Sequence, residues 1–140
     1  MERTKANFRA LRETVGMSQA HLAKECGIDS RSVRRWEDPK ERSCSPRDFA
    51  WDLLEEARAA QLAAYDAAVT AVEDEADEAG CAPRAVTLTY WPNVAAYAHA
   101  HPEEDPANWQ MANANARLVA HALAEMGYEV EFTFPAFCSE

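Results

Sequence analysis

A chain of 140 residues has material for one domain or two small ones, and its 48 % apolar content is that of a globular protein rather than a disordered one. Its charge is divided: residues 1–47 carry 11 Lys or Arg against 7 Asp or Glu, a net +4, and residues 48–140 carry 3 against 17, a net -14, within a total of -10. No basic-then-apolar leader is read at the start and no apolar run approaches the ~20 residues that cross a bilayer, so a membrane partner is not expected and a cytoplasmic location is.

In chain order, the first strong signature is residues 17–37, MSQAHLAKECGIDSRSVRRWE. Ser18 can cap a helix whose apolar face is Ala20, Leu22, Ala23 and Cys26, and Gly27 ends that helix in the left-handed conformation that side chains resist. Ile28 turns the chain inward, Asp29 is a natural N-cap for the next helix, and Val33 with Trp36 form its buried stripe at three-residue spacing. Ser30, Arg31, Ser32, Arg34 and Arg35 remain exposed. Short donors at a helix N-terminus reach base edges and phosphates, and arginine can bind guanine with two parallel hydrogen bonds in the major groove. The second helix is therefore the expected reader of duplex DNA, the alternative being an arginine-rich surface helix without a ligand. A pI near 4.8 argues against nucleic acid for the whole chain, but the local field of the part that touches phosphate is what counts.

Residues 38–46 form a polar loop with two prolines. Lys40 and Arg42 are candidate phosphate contacts there, with solvated side chains as the other reading; Ser45 can cap the next helix, with Pro46 at its first position. Residues 46–78 contain no proline beyond that start and no glycine, and apolar residues recur at Phe49, Leu53, Ala57, Ala64, Ala68 and Val72, which predicts one long helix. Its first part, through Leu54, is expected to close the N-terminal core, while Leu62, Tyr65, Val69 and Val72 need another partner. Residues 73–78 read as a solvated acidic helix end, with phosphate mimicry as the alternative.

The second half opens on a strand at residues 85–91, where Val86, Leu88 and Tyr90 alternate with threonines. A short helix over about 92–99 and a longer one over about 106–126 follow, the latter stopped by Gly127, with Trp109, Ala112, Ala116, Val119, Leu123 and Met126 as its apolar face. Tyr128, Val130, Phe132 and Phe134 then alternate with polar residues in a second strand. The fold class expected is thus mainly α with a small α+β part: a helix-turn-helix bundle over 1–60, a helix extension and linker over 61–84, and a β-α-α-β unit over 85–140. Two strands with such aromatic faces rarely stand alone, which points to burial against a second copy.

The segment from Phe8 to Glu37 resembles the XRE-type (Cro/C1-type) helix-turn-helix regulators: a basic first helix at Phe8 to Thr14, Ser18 with Gln19, Ala23 to Gly27 at the turn, and Trp36 with Glu37 closing the reader helix. The resemblance implies that Gln19 faces phosphates or the groove edge and that Arg12 pairs with Glu37 across the domain. The second half, with Tyr90-Trp-Pro-Asn-Val-Ala-Ala-Tyr97, Pro102 and Trp109, resembles the C-terminal part of YdiL-like regulators and anti-CRISPR-associated autorepressors. That resemblance implies a two-fold dimer that presents two reader helices to an inverted-repeat operator, with half-sites ~34 Å apart, and represses its own promoter. The DNA-binding residues expected are Gln19, Ser30, Arg31, Ser32, Arg34, Arg35, Lys40 and Arg42; the dimerisation residues expected are Tyr90, Trp91, Pro92, Tyr97, Trp109 and Phe132. RNA binding is a further implication, and with Arg84 and Arg117 the only basic residues of the second half it would have to reuse Arg31, Arg34 and Arg35.

His99, His101 and His121 lie near Glu103, Glu104 and Asp105, but His-x-His without a placed carboxylate or cysteine ligand reads as surface histidines. Cys26, Cys44, Cys81 and Cys138 form no C-x-x-C pair, so neither a zinc site nor a disulfide framework is expected. No nucleophile elbow, phosphate-binding glycine loop or paired glycosidase carboxylates occur, and 4 glycines leave little for a cofactor cradle. Neither an enzyme nor a metal or cofactor is expected. The function expected is a dimeric transcriptional repressor; the competing readings are an antitoxin-like regulator whose acidic second half binds a protein partner, and a repressor that binds both DNA and RNA.

Overall fold

The computed structural model describes residues 1–81 and 85–136, and the chain divides into two compact units, Met1–Ala60 and Gln61–Glu140. Six α-helices and two strands are present among the described residues, so the protein is mainly α with a small β part.

The first unit begins with α1 (Lys5–Val15), capped by Thr4, whose hydroxyl accepts from the Asn7 N–H. Helices α2 (Gln19–Cys26), α3 (Ser30–Glu37) and the first turns of α4 (Asp48–Ala79) complete it. Its core is Phe8, Leu11, Val15, Leu22, Val33, Trp36, Ala50, Trp51 and Leu54. The Phe8 ring stands edge-on to Trp36 at 6.1 Å and to Trp51 at 5.2 Å, so one aromatic joins three helices.

Three local expectations shift. On α2, Ala20 is exposed and His21 is buried, so the inward face is rotated from Ala20 toward His21. Helix α4 starts at Asp48 rather than Pro46: the Arg47 carbonyl accepts the first helical N–H groups, from Ala50 and Trp51, and Asp48 places a carboxylate in the first turn. Ala50, Trp51 and Leu54 share the buried face of α4, which leaves Phe49 50 % exposed with its edge against Trp36 at 6.2 Å.

The second unit contains the rest of α4, then β1 (Ala85–Thr89), α5 (Val94–Ala100), a 3-10 turn at Pro106–Asn108, α6 (Trp109–Glu125) and β2 (Glu129–Thr133). Each helix start has a chemical cause. Asn93 caps α5 by accepting from the Ala96 N–H, and Asp105 caps the 3-10 turn, with Pro106 at its first position, where a missing N–H costs nothing. The helix expected over 106–126 is therefore a 3-10 turn followed by an α-helix. Gly127, at φ 97°, turns the chain out of α6 into β2.

The strands pair in parallel, with Val86 opposite Val130 and Leu88 opposite Phe132. In this register Val86, Leu88, Val130 and Phe132 fall on one face, and Ala85, Thr87, Thr89, Glu129, Glu131 and Thr133 on the other. Val119 and Leu123 of α6, Ala96 and Tyr97 of α5, and Ala114 form the unit's buried centre. Met126, expected on the apolar face of α6, is 47 % exposed because it lies past the last turn of the helix. In the second part of α4, Leu62 is exposed and Tyr65, Val69 and Val72 are half-buried; Tyr65 borders a cleft with Leu118, Ala122 and Met126.

Candidate nucleic-acid interface

Helices α2 and α3 are joined by a turn whose chemistry is local. Ser18 accepts from the His21 N–H at 3.0 Å to start α2, and Gly27 ends it at φ 68°, where a Cβ would meet nothing but would have to adopt a left-handed backbone. The Asp29 carboxylate then accepts from both the Ser32 N–H, at 2.9 Å, and the Ser32 hydroxyl, at 3.0 Å. These bonds, with lesser help from Arg31 and Arg34, hold the Asp29 carboxyl below its ordinary range.

A group ionised more readily in the folded state adds stability above its unfolded pKa, and that stability is lost as pH falls through the folded value. Asn caps a helix as well as Asp does, so Asp29→Asn removes only this charge-linked part. The thermal midpoints of the two proteins are expected to differ at pH 7, with wild type higher, to begin to converge as pH falls below about 4, the unfolded Asp value, and to meet only below the lower folded value. A gap unchanged at pH 3 would show that the charge does not matter.

The far end of α3 is held by a buried ion pair. Arg12 Nε donates to Glu37 Oε2 at 2.6 Å and Nη2 to Oε1 at 2.8 Å, while Nη1 donates to the Met17 carbonyl at 2.8 Å. The pairing of Arg12 with Glu37 is thus present, as the resemblance implies, in the bidentate geometry that arginine favours. Gln19 belongs to the same cluster: its side-chain N–H donates to Glu37 Oε1 at 3.1 Å, leaving its carbonyl oxygen for other contacts. Lys5 Nζ donates to the Arg35 carbonyl at 3.0 Å and to the Cys44 carbonyl, closing the last turn of α3 against the following loop.

The outward side chains of α3 fall into two groups. Arg31 and Arg34 are exposed and make no ion pair among the described residues, whereas Arg35 faces Glu41 at 3.7 Å. Ser30 and Ser32 are half-buried in the first turn, and the Ser32 hydroxyl is engaged by Asp29. Lys40 and Arg42 are exposed and likewise make no ion pair among the described residues. Other basic residues of this unit are tied up: Arg3 with Asp48, Asp52 and Glu55, and Arg9 with Glu13, whose carboxyl Arg9 holds low. Arg47, not singled out by the sequence reading, is exposed and unpaired among the described residues; its signal was the basic run shared with Lys40 and Arg42.

The expected dimerisation residues separate by burial. Tyr97 is buried in its own unit, where its hydroxyl donates to Glu104, and burial followed by that carboxylate raises its pKa. Trp91, Pro92 and Trp109 are half-buried, and the Trp91 ring stands edge-on to Tyr97 at 5.1 Å and to His101 at 5.4 Å. Asn113, which the sequence reading passed over, is buried and fixes Trp91 by accepting from its N–H at 2.8 Å and donating to its carbonyl at 2.9 Å. Phe132 is 47 % exposed, with its ring 5.3 Å from Tyr90, and Phe134 beside it is 54 % exposed.

Of the histidines, His99 and His121 are exposed and His101 is half-buried against aromatic rings. Cys26 is half-buried, and burial, then Glu25, pushes its thiol pKa up, as for an unreactive thiol. Arg84 and Cys138 lie outside the described residues. No helix among the described residues is long and apolar enough to cross a membrane. No protein-family model matches the chain, and no curated protein is significantly similar to it.

Proposed function

We propose that this chain is a cytoplasmic, sequence-specific DNA-binding transcriptional regulator of the XRE type, acting as a homodimeric repressor on an inverted-repeat operator. The observation that carries the reading is the selective freedom of Arg31 and Arg34. They project from a short helix whose two ends are anchored, by Asp29 at one and by the Arg12–Glu37 pair at the other, while Arg3, Arg9, Arg12 and Arg35 face carboxylates. A guanidinium that makes no hydrogen bond or ion pair among the described residues keeps its planar donors for a guanine edge or a phosphate, and a helix anchored at both ends presents them at fixed positions. Lys40 and Arg42 in the following loop supply phosphate contacts.

The second unit supports the dimer. A two-stranded sheet rarely stands alone, and Trp91, Pro92 and Trp109 keep part of their surface exposed in this unit; a second copy packed on them would bring two reader helices to one duplex.

Selection of bound sequences from a random duplex pool tests both parts. A palindromic consensus is the expected result, and no enrichment would overturn the proposal. On the selected operator, Arg31→Ala is expected to weaken binding by about 1–3 kcal/mol, roughly 5- to 150-fold, with a much smaller loss on random duplex. Equal losses on both would make Arg31 a phosphate contact instead.

A further inference from the structure

The second unit is strongly acidic: residues 61–140 contain 13 Asp or Glu and only two basic side chains, Arg84 and Arg117. A surface arginine in such surroundings ordinarily finds a carboxylate. Arg117 makes no ion pair among the described residues; its Nη1 donates instead to the Tyr90 hydroxyl at 2.5 Å, with the guanidinium 6.0 Å from the centre of the Tyr90 ring. One of its five N–H donors is used in this way, and the rest of the charge is uncompensated by the described part of its own chain.

That charge borders an open recess of about 380 Å³ walled by Tyr90, Phe132, Thr133 and Phe134. The volume lies within the ~300–1,000 Å³ typical of small-molecule clefts. Tyr90 directly follows β1 and Phe134 directly follows β2, so the recess opens at the carboxyl ends of the two parallel strands. Three aromatic side chains and one cation converge there, while the carboxylates of β2, Glu129 and Glu131, fall on the opposite face of the sheet.

We infer that this recess binds a small monocarboxylic acid with an aryl body, the carboxylate on Arg117 and the ring among Tyr90, Phe132 and Phe134. The carboxylate accepts from the guanidinium donors left over from Tyr90, and the aryl ring packs edge-to-face against exposed aromatics that otherwise meet water. The site lies wholly in the second unit and does not depend on the DNA-binding reading.

The test uses the full chain, labelled with nitrogen-15, titrated with phenylacetate and separately with its neutral isostere phenylacetamide. Phenylacetate is expected to shift the Phe132, Thr133 and Phe134 amides and the Arg117 Nε–H saturably, and to bind about ten-fold or more tighter than the amide. Arg117→Gln, at an exposed side chain, is expected to reduce phenylacetate to the affinity of phenylacetamide while leaving the rest of the spectrum unchanged. Equal binding of acid and amide, or no effect of Arg117→Gln, would overturn the assignment, as would the absence of saturable shifts. Signals at these residues that respond to protein dilution and not to phenylacetate would assign the recess to a second copy of the chain and equally overturn it.

Discussion

Replacing Glu37 with alanine is expected to destabilise the first unit by about 3–5 kcal/mol, because it leaves the Arg12 guanidinium buried without its counter-charge. Both partners are 7 % exposed, so water cannot take over. Arg12 would keep its bond to the Met17 carbonyl and lose two charge-assisted bonds to Glu37, and the Gln19 side chain would lose its acceptor as well. A small domain has a total stability near the low end of about 5–15 kcal/mol, so the variant sits close to unfolding. Amide hydrogen exchange over α1 to α3 reads this unit alone, and the protection of its slowest amides is expected to collapse. The double replacement Arg12→Met with Glu37→Leu removes both charges and is expected to recover most of the loss. A Glu37→Ala variant within about 1 kcal/mol of wild type would mean that the pair is screened by solvent.

In the second unit the largest single effect is expected at Asn113. Its side-chain amide satisfies both the N–H and the carbonyl of Trp91, and its removal leaves two part-buried backbone groups unpaired, at a cost of about 2–4 kcal/mol in total. Trp91 is where β1 has ended and α5 has not begun, so no ladder or helix replaces those bonds. Asn113→Ala is therefore expected to abolish exchange protection at the Trp91 amide and to lower the thermal midpoint of this unit. Asn113→Asp keeps the acceptor and loses the donor, so the Trp91 amide is expected to stay protected while the unit still loses stability. Unchanged protection of Trp91 in Asn113→Ala would show that the bracket does not hold it.

These two residues mark the boundary of what the sequence discloses. The caps at Ser18 and Asp29 and the turn at Gly27 are legible because their chemistry is complete within four residues. The Arg12–Glu37 pair spans 25 positions and was accessible only through resemblance, since no periodicity links residues on α1 and α3. Asn113 was invisible: on an alanine-rich helix an asparagine reads as solvent-facing, and its partner is a backbone amide that carries no sequence identity. Residues 49 and 51 illustrate a different failure. Both are aromatic, and a rotation of about 100° per residue decides which of them enters the core; Ala50 and Leu54 select Trp51. At Gln19 the residue type was compatible with a phosphate contact, but Glu37 engages its amide N–H. The two strands are legible from alternation, whereas alternation does not disclose their parallel pairing; that needs the long connection between them, which permits either direction.

That parallel pairing also sets an order of events during synthesis. Strand β1 has no partner until β2 appears, and the register joins Ala85 to Glu129. Contacts so distant along the chain form later than those within α1 to α3, whose turns are local. At a ribosomal pace of about 5–20 residues per second, β1 waits several seconds for its partner. A nascent chain can thus carry a finished helix-turn-helix bundle while its second unit is still half made.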